Sequence, residues 1–246
     1  MKLFWNSFFF IWRCWLWILV LFGLIFFSPF SIILTSSPKT YFLFHLFCKY
    51  WCRFVLLLNG FWYSIKQNPK LKSDSAYIIC PNHTSKFDII LLFATFPNTF
   101  VFMGKKNVSK IPIFEWFYNR TMITFERGSV GSAVKAYRKA DRILKSGVSI
   151  VVFPEGMVPK NHIRLGAFMS GAFKLAISNK VPIIPITFVD NKEKYPEDEL
   201  KLKLGLLRVH IHSPVSTKGM KTQDANRLCS KVFDMINNTL CNYENK

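Results

Sequence analysis

AYIICPNHTSKFD, residues 76–88, reads as a short apolar strand, a loop opening at Pro81, and the first turn of a helix. The run AYIIC has strand length and composition and stops at a proline, which cannot donate to a β-ladder. Thr84 and Ser85 are available as N-caps for the helix that follows. Such a turn brings His83 and Asp88 together. Downstream, TMITF (121–125), SIVVF (149–153), VPIIPITFV (181–189) and LLRVHIH (206–212) are further runs of strand length. Helix-like segments separate them, SAVKAYRKADRILKSG (132–147) and MSGAFKLAISN (169–179), and residues 222–240 form a last one. Strands alternating with helices predict an α/β domain with a mixed central sheet flanked by helices.

Upstream the composition is different. Residues 14–38 carry no charge, and CWLWILVLFGLIFF followed by SPFSIIL is long enough for a membrane-anchoring helix. A cleavable signal is the competing reading, but the apolar run exceeds the ~7–15 residues of a signal core and no small-residue cleavage site follows. Pro29 interrupts the run, leaving open one span or a re-entrant hairpin. A second apolar stretch, 41–63, holds Lys49 and Arg53 with Trp51, Trp62 and Tyr63 beside them, a pattern that suits an interfacial helix, or a buried helix of the soluble domain. The polar, turn-rich QNPKLKSDS (67–75) marks a boundary between an anchor with interfacial helix, 1–66, and a catalytic domain, 67–246.

The 246 residues allow one catalytic domain plus an anchor. Charged residues at 19% do not fit a multi-span transporter, and 33 Lys plus Arg against 14 Asp plus Glu, a net charge of +19, bias the chain toward polyanions. The aromatic and aliphatic bulk at the N-terminus favours anionic membrane and phosphorylated ligands over nucleic acid, since basic residues beside a bilayer gain about 1 kcal/mol each. The six cysteines form no CxxC pair and suggest neither a zinc site nor a disulfide framework, so no metal and no cofactor are expected.

Three constellations carry chemistry. His83 oriented by Asp88 can serve as a general base, the carboxylate fixing the tautomer and stabilising the imidazolium. No GxSxG elbow or comparable cysteine accompanies the pair, so the nucleophile would be a substrate hydroxyl. Taken alone, HxxxxD fits a structural capping histidine equally well. In TFERG (124–128), Arg127 and the upstream Lys105 and Lys106 form either a phosphate site or a solvated surface cluster. In VVFPEG (151–156), Glu155 and Gly156 lie at a strand's C-terminal edge, where open α/β sheets bind ligands, or simply form a strand-ending turn. Pro182 and Pro185 bracket a buried-strand pattern that reads as architectural.

In this order the blocks resemble the motifs of the glycerolipid acyltransferase family typified by 1-acylglycerol-3-phosphate acyltransferase. Asn82, His83 and Asp88 match its NHxxxxD block, Phe125 and Arg127 the second, Phe153 to Gly156 the third, and Val181 to Pro185 the fourth. KKNVSKIPIFEWF and MSGAFKLA are similar to intervening family segments, so the likeness runs over residues 78–188. The resemblance implies His83 as base and Asp88 as its partner. It implies that Arg127 and the Glu155–Gly156 turn hold the glycerophosphate, with Asn82 of the first block beside the base as a substrate-binding residue, and that Pro182 and Pro185 in the fourth block shape the acyl-donor side. The implied reaction moves a fatty acyl group from acyl-CoA or acyl carrier protein to the sn-2 hydroxyl of 1-acylglycerol-3-phosphate, on the cytoplasmic face of the cell (inner) membrane. The implied partners are a phosphorylated lyso-glycerolipid, the thioester and membrane lipid, with no nucleic acid. Two departures stand out: Glu126 replaces the usual aspartate, and Met157, Val158 and Pro159 stand where Thr-Arg-Ser is usual, which puts the acceptor headgroup in question. With Thr-Arg-Ser missing, phosphate binding leans on Arg127, Lys105, Lys106, Lys160 or Arg164. Glycerol-3-phosphate, a lysophospholipid and an amino-acid lyso-lipid are alternative acceptors. A hydrolase using the same pair is a rival, as is a non-enzymatic basic membrane-surface protein, although the latter leaves NHTSKFD and FPEG unexplained.

Overall fold

Strand β2 (Ile78–Pro81) sits in the middle of a seven-stranded sheet and is buried along its whole length. The computed structural model describes residues 2–66, 69–72, 75–106, 118, 121–126 and 128–244. In chain order the elements are α1 (Lys2–Leu34), α2 (Pro38–Leu58), β1 (Phe61–Lys66), β2, α3 (Phe87–Thr95), β3 (Phe100–Lys105), β4 (Met122–Phe125), α4 (Val130–Lys145), β5 (Ser149–Val151), α5 (Gly171–Ser178), β6 (Ile183–Phe188), α6 (Asn191–Lys194), β7 (Gly205–Ile211) and α7 (Ala225–Glu244). The strand order is β1-β7-β6-β2-β5-β3-β4, parallel throughout except for β6 against β7. This is the mixed sheet expected from the alternation of strand and helix patterns.

Both faces of the sheet are covered, which is why its strands read as continuous apolar runs rather than alternating ones. One core joins Ile79, Ile184 and Ile186 of the sheet to Phe87 and Leu91 of α3, and to Leu16 of α1 and Val55 of α2. The other joins Ile78, Cys80 and Ile183 to Ala136 and Ala140 of α4, Phe173 of α5, and Val232 and Ile236 of α7. Helix α4 shows how little apolar surface is needed: it buries only Ala136, Ala140 and Leu144, four residues apart, while the Ser129 hydroxyl caps it by accepting from the Ser132 amide at 3.2 Å.

The second apolar stretch divides differently from the sequence reading. Helix α2 ends at Leu58; Asn59 and Gly60 turn the chain, Gly60 at φ 72°, and Trp62 and Tyr63 belong to edge strand β1 instead of to an interfacial helix. The sheet thus takes its edge, paired in register with β7, from residues before Gln67. Strand β3, FVFMGK, was not anticipated from the sequence either. Helix α2 lays Phe44, Val55 and Leu56 inward and leaves Phe42, Leu43, Phe54 and Leu57 exposed, and α1 leaves Phe10, Ile11, Ile18, Phe22 and Phe26 exposed. Trp5–Leu34 and Thr40–Leu58 are each long and apolar enough to cross a membrane, and their bare outer faces fit a membrane-associated chain.

Candidate active site

Strands β2, β5 and β6 run parallel and end together, so the loops after them converge at one edge of the sheet. The loop after β2 carries Asn82 to Lys86, the loop after β5 carries Pro154 to Gly156, and β6 is followed by Asp190 and Asn191. Asn82 locks the first loop to β6 by a two-way amide clamp, donating from Nδ2 to the Phe188 carbonyl at 3.1 Å and accepting the Phe188 amide on Oδ1 at 2.7 Å. It acts on backbone and is almost wholly buried, at 1% exposure.

Helix α3 begins at Phe87, and its cap residue, Lys86, makes no side-chain cap bond. The Asp88 carboxylate gathers the loop instead. Its Oδ2 accepts the Thr84 amide at 2.6 Å, the Ser85 amide at 3.0 Å and Nδ1 of His83 at 2.9 Å; its Oδ1 accepts the Thr84 hydroxyl at 2.5 Å and Nδ2 of Asn191 at 2.8 Å. Asp88 is fully buried, whereas the His83 side chain keeps 17% of its surface. With Asp88 accepting, Nδ1 carries the proton and Nε2 is left as an acceptor. The imidazole lies flat on the Phe153 ring, centroids 4.0 Å apart and planes at 21°, which fixes its remaining freedom.

Glu155 faces inward. One carboxylate oxygen accepts the His83 amide and the other the Gly166 amide, each at 2.6 Å, so the loop after β5 is strapped to the loop bearing His83. Burial pushes this carboxyl up to about 7 despite the two bonds it accepts. A Cβ on Gly166 would lie 2.8 Å from the same carboxylate, so the close approach needs glycine. Gly156 adopts φ 70° at the sharp turn.

The other sequence candidates are spread wider. Lys105 ends β3, and Lys106 pairs with Glu126 at 2.9 Å with both side chains about half exposed. Arg127 lies outside the described residues, as does IPIFEWF. Pro185 is buried in β6 opposite Cys80, and the Pro182 carbonyl accepts the Ile78 amide. Neither proline lines the adjoining cavity. Sequence reading did not single out Asn191, Gly166 or the ring contact of Phe153 with His83: Asn191 is 103 residues from Asp88, and no local pattern links them.

Between α1, α2, α3 and β3 lies an apolar cavity of about 680 Å³, lined among others by Trp17, Phe27, Trp51, Phe93 and Phe102. Neither His83 nor Asp88 lines it, but two of its walls adjoin the dyad. Lys86, two positions before Asp88, lines it, and the Phe102 ring stacks on Phe153, which in turn carries His83. Its size is that of a small-molecule site. A base one aromatic ring away from an apolar cavity can act on a substrate with a reactive head and a hydrocarbon tail.

A family model described as Acyltransferase matches residues 64–189. The chain is 31% identical over 204 residues to the chloroplastic 1-acyl-sn-glycerol-3-phosphate acyltransferase LPAT1 of Arabidopsis thaliana, covering 78% of this chain and 55% of that one. It is 29% identical over 160 residues to the bovine (Bos taurus) 1-acyl-sn-glycerol-3-phosphate acyltransferase alpha, covering 63% and 55%. The chain spans between about half and two thirds of the length of the curated relatives it matches. The crystal structure of the 1-acyl-sn-glycerophosphate acyltransferase PlsC from Thermotoga maritima shares the fold, with a TM-score of 0.79, 20% identity and 96% of each chain covered. The matched residues 64–189 are more than half of the 246 and include the whole loop from Asn82 to Asp88 and the turn at Glu155, and the chain belongs to the acyltransferase family.

Proposed function

We propose that the protein transfers a fatty acyl group from a thioester donor, acyl-CoA or acyl carrier protein, to the sn-2 hydroxyl of 1-acylglycerol-3-phosphate, giving phosphatidic acid. The observation that carries this reading is the His83 imidazole, bound through Nδ1 to a fully buried carboxylate with Nε2 left to accept a proton, beside a 680 Å³ apolar cavity. In the proposed step Nε2 of His83 removes the hydroxyl proton as the oxygen attacks the thioester carbon. Asp88 holds the ring and balances the imidazolium, and the C–S bond then breaks, the thiolate recovering the proton. A general base contributes roughly 10²- to 10⁴-fold, and the rest falls to the alignment of two bound substrates.

Lys105, Lys106 and Arg127 are the cations proposed to hold the acceptor's phosphate, and Glu155 and Gly156 are proposed to shape the turn of the loop after β5. Relatives named for the same acceptor support this choice of headgroup. Residues 1–66 supply the anchor together with the sheet's edge strand, and residues 67–246 the rest of the catalytic domain. A cytosolic thioester donor places that domain on the cytoplasmic face of the cell membrane.

Membranes containing wild type or His83→Ala, given labelled acyl-CoA or acyl carrier protein donors with lysophosphatidic acid and glycerol-3-phosphate, test the reading by thin-layer analysis. Label in phosphatidic acid from lysophosphatidic acid, and only with His83, is expected. A folded, active His83→Ala protein overturns it.

A further inference from the structure

Five donors converge on Asp88, and four come from its own loop; the fifth, Asn191, comes from a different element. Asn191 is completely buried at the start of α6. Its amide can present only the NH₂ group to a carboxylate, so the orientation follows from the chemistry. Its other end, Oδ1, has no partner among the described residues. The side chain spends its single bond on the carboxylate beside His83.

The segment around Asn191 is rigidly tied on all sides. Just before it, the Asp190 carboxylate accepts the Arg208 amide at 2.6 Å and its guanidinium Nε at 2.9 Å. Two residues earlier, Phe188 is in the Asn82 clamp. Just after it, the Tyr195 amide donates to the Asn191 carbonyl at 2.8 Å, and the Tyr195 ring stacks on Phe87, the neighbour of Asp88, at 4.8 Å and 9°. Arg13 of α1 lies over the other face of this tyrosine segment, 4.3 Å from the ring centroid, and donates to the Pro196 carbonyl at 2.6 Å.

We propose that Asn191 is a positioning residue that holds the Asp88 carboxylate square to His83, carrying the order of β7 and α1 into the dyad. The inference rests on the assignment of His83 as base. Oδ2 takes the imidazole and two loop amides, whereas Oδ1 is held by the Thr84 hydroxyl and Asn191; without the Asn191 amide, Oδ1 keeps only a donor from its own loop, and the carboxylate loses the contact that fixes its tilt against the imidazole from outside that loop.

The test compares full-length wild type, Asn191→Ala, Asn191→Asp and His83→Ala in detergent with acyl-CoA and lysophosphatidic acid, measuring kcat, both KM values, melting temperature and kcat against pH. For Asn191→Ala, kcat falls by about 10- to 100-fold, the cost typical of an outer-shell orienting group, with both KM values unchanged. The melting temperature falls by a few degrees, because a fully buried side chain and one bond to the carboxylate are lost, so kcat is read well below it, on folded enzyme. In Asn191→Asp two carboxyls share one site, so one of them takes a proton as the pH is lowered. The protonated form restores the lost donor, and its kcat relative to wild type rises on acidification, which a merely structural role would not produce. Glu155, the other carboxyl near the pair, titrates near 7 in wild type and variant alike, so it cancels from the ratio of their kcat values. An Asn191→Ala enzyme within about twofold of wild-type kcat, or one whose loss lies in KM, overturns the proposal while His83→Ala remains inactive. An active His83→Ala enzyme overturns both the proposal and the assignment of the base.

Discussion

Replacing Glu155 by glutamine separates a constant from a pH-dependent contribution to stability. The folded protein raises this carboxyl from 4.5 to about 7. Below 4.5 it is protonated in folded and unfolded chains alike. Between 4.5 and about 7 the folded chain holds the proton and the unfolded chain does not, so stability is fully present at the acidic end and is lost as the pH rises through 7. At about 1.4 kcal/mol per pH unit the whole loss amounts to roughly 3 kcal/mol. Glutamine cannot ionise and has no such slope. It does have an offset: its amide oxygen satisfies one of the two facing amides, of His83 or Gly166, and its NH₂ meets the other donor to donor, at about 1–3 kcal/mol independent of pH. The assay is tryptophan-monitored thermal unfolding in detergent micelles from pH 4.5 to 8.5. Glu155→Gln melts below wild type at the acidic end, and the gap closes as wild type weakens. At roughly 2–4 °C per kcal/mol for a chain of this size, the difference between the two changes by roughly 6–12 °C over the range. A difference that stays flat with pH would refute the buried, high-affinity carboxyl.

Asp88→Asn leaves the fold in place but turns an NH₂ toward a loop built of donors, so kcat is expected to drop by roughly 10²- to 10⁴-fold; initial rates with saturating donor and acceptor check it, and retention of full rate would remove Asp88 from the dyad. Gly23→Ala places a Cβ 2.1 Å from Nε1 of Trp51. Both residues line the cavity, so the ring is displaced, overpacking costs about 1–3 kcal/mol, and acyl donors compete in favour of shorter chains; an unchanged chain-length profile would place the acyl group elsewhere.

Much of the architecture was legible because it depends on local pattern. Strand β2 stops where a proline stops it, β4, β5 and β6 are apolar runs separated by helices of clear period, and β7 is a further apolar run, so the mixed sheet follows. The closeness of His83 to Asp88 is legible for the same reason, since five residues across a helix start leave few ways to keep the side chains apart. Strand β1 escaped because FWYSIK continues the aromatic composition of α2; the Asn59-Gly60 pair is the signal that separates them. Glu155 looked like a ligand-facing group at a strand end, and nothing in VVFPEG discloses that its carboxylate turns back onto the His83 amide.

The sequence by itself determined which residues can do chemistry, which runs must be buried, and that an apolar stretch long enough to cross a membrane precedes an α/β domain, because side-chain chemistry and apolar periodicity are properties of short stretches of chain. Only the tertiary structure decided that Glu155 and Phe153 meet His83 while Asn191 meets Asp88, and that α1 and α2 close an apolar cavity against α3 and β3. Those contacts join residues tens to more than a hundred positions apart, and their geometry is set by the parallel ends of β2, β5 and β6, which no local window contains.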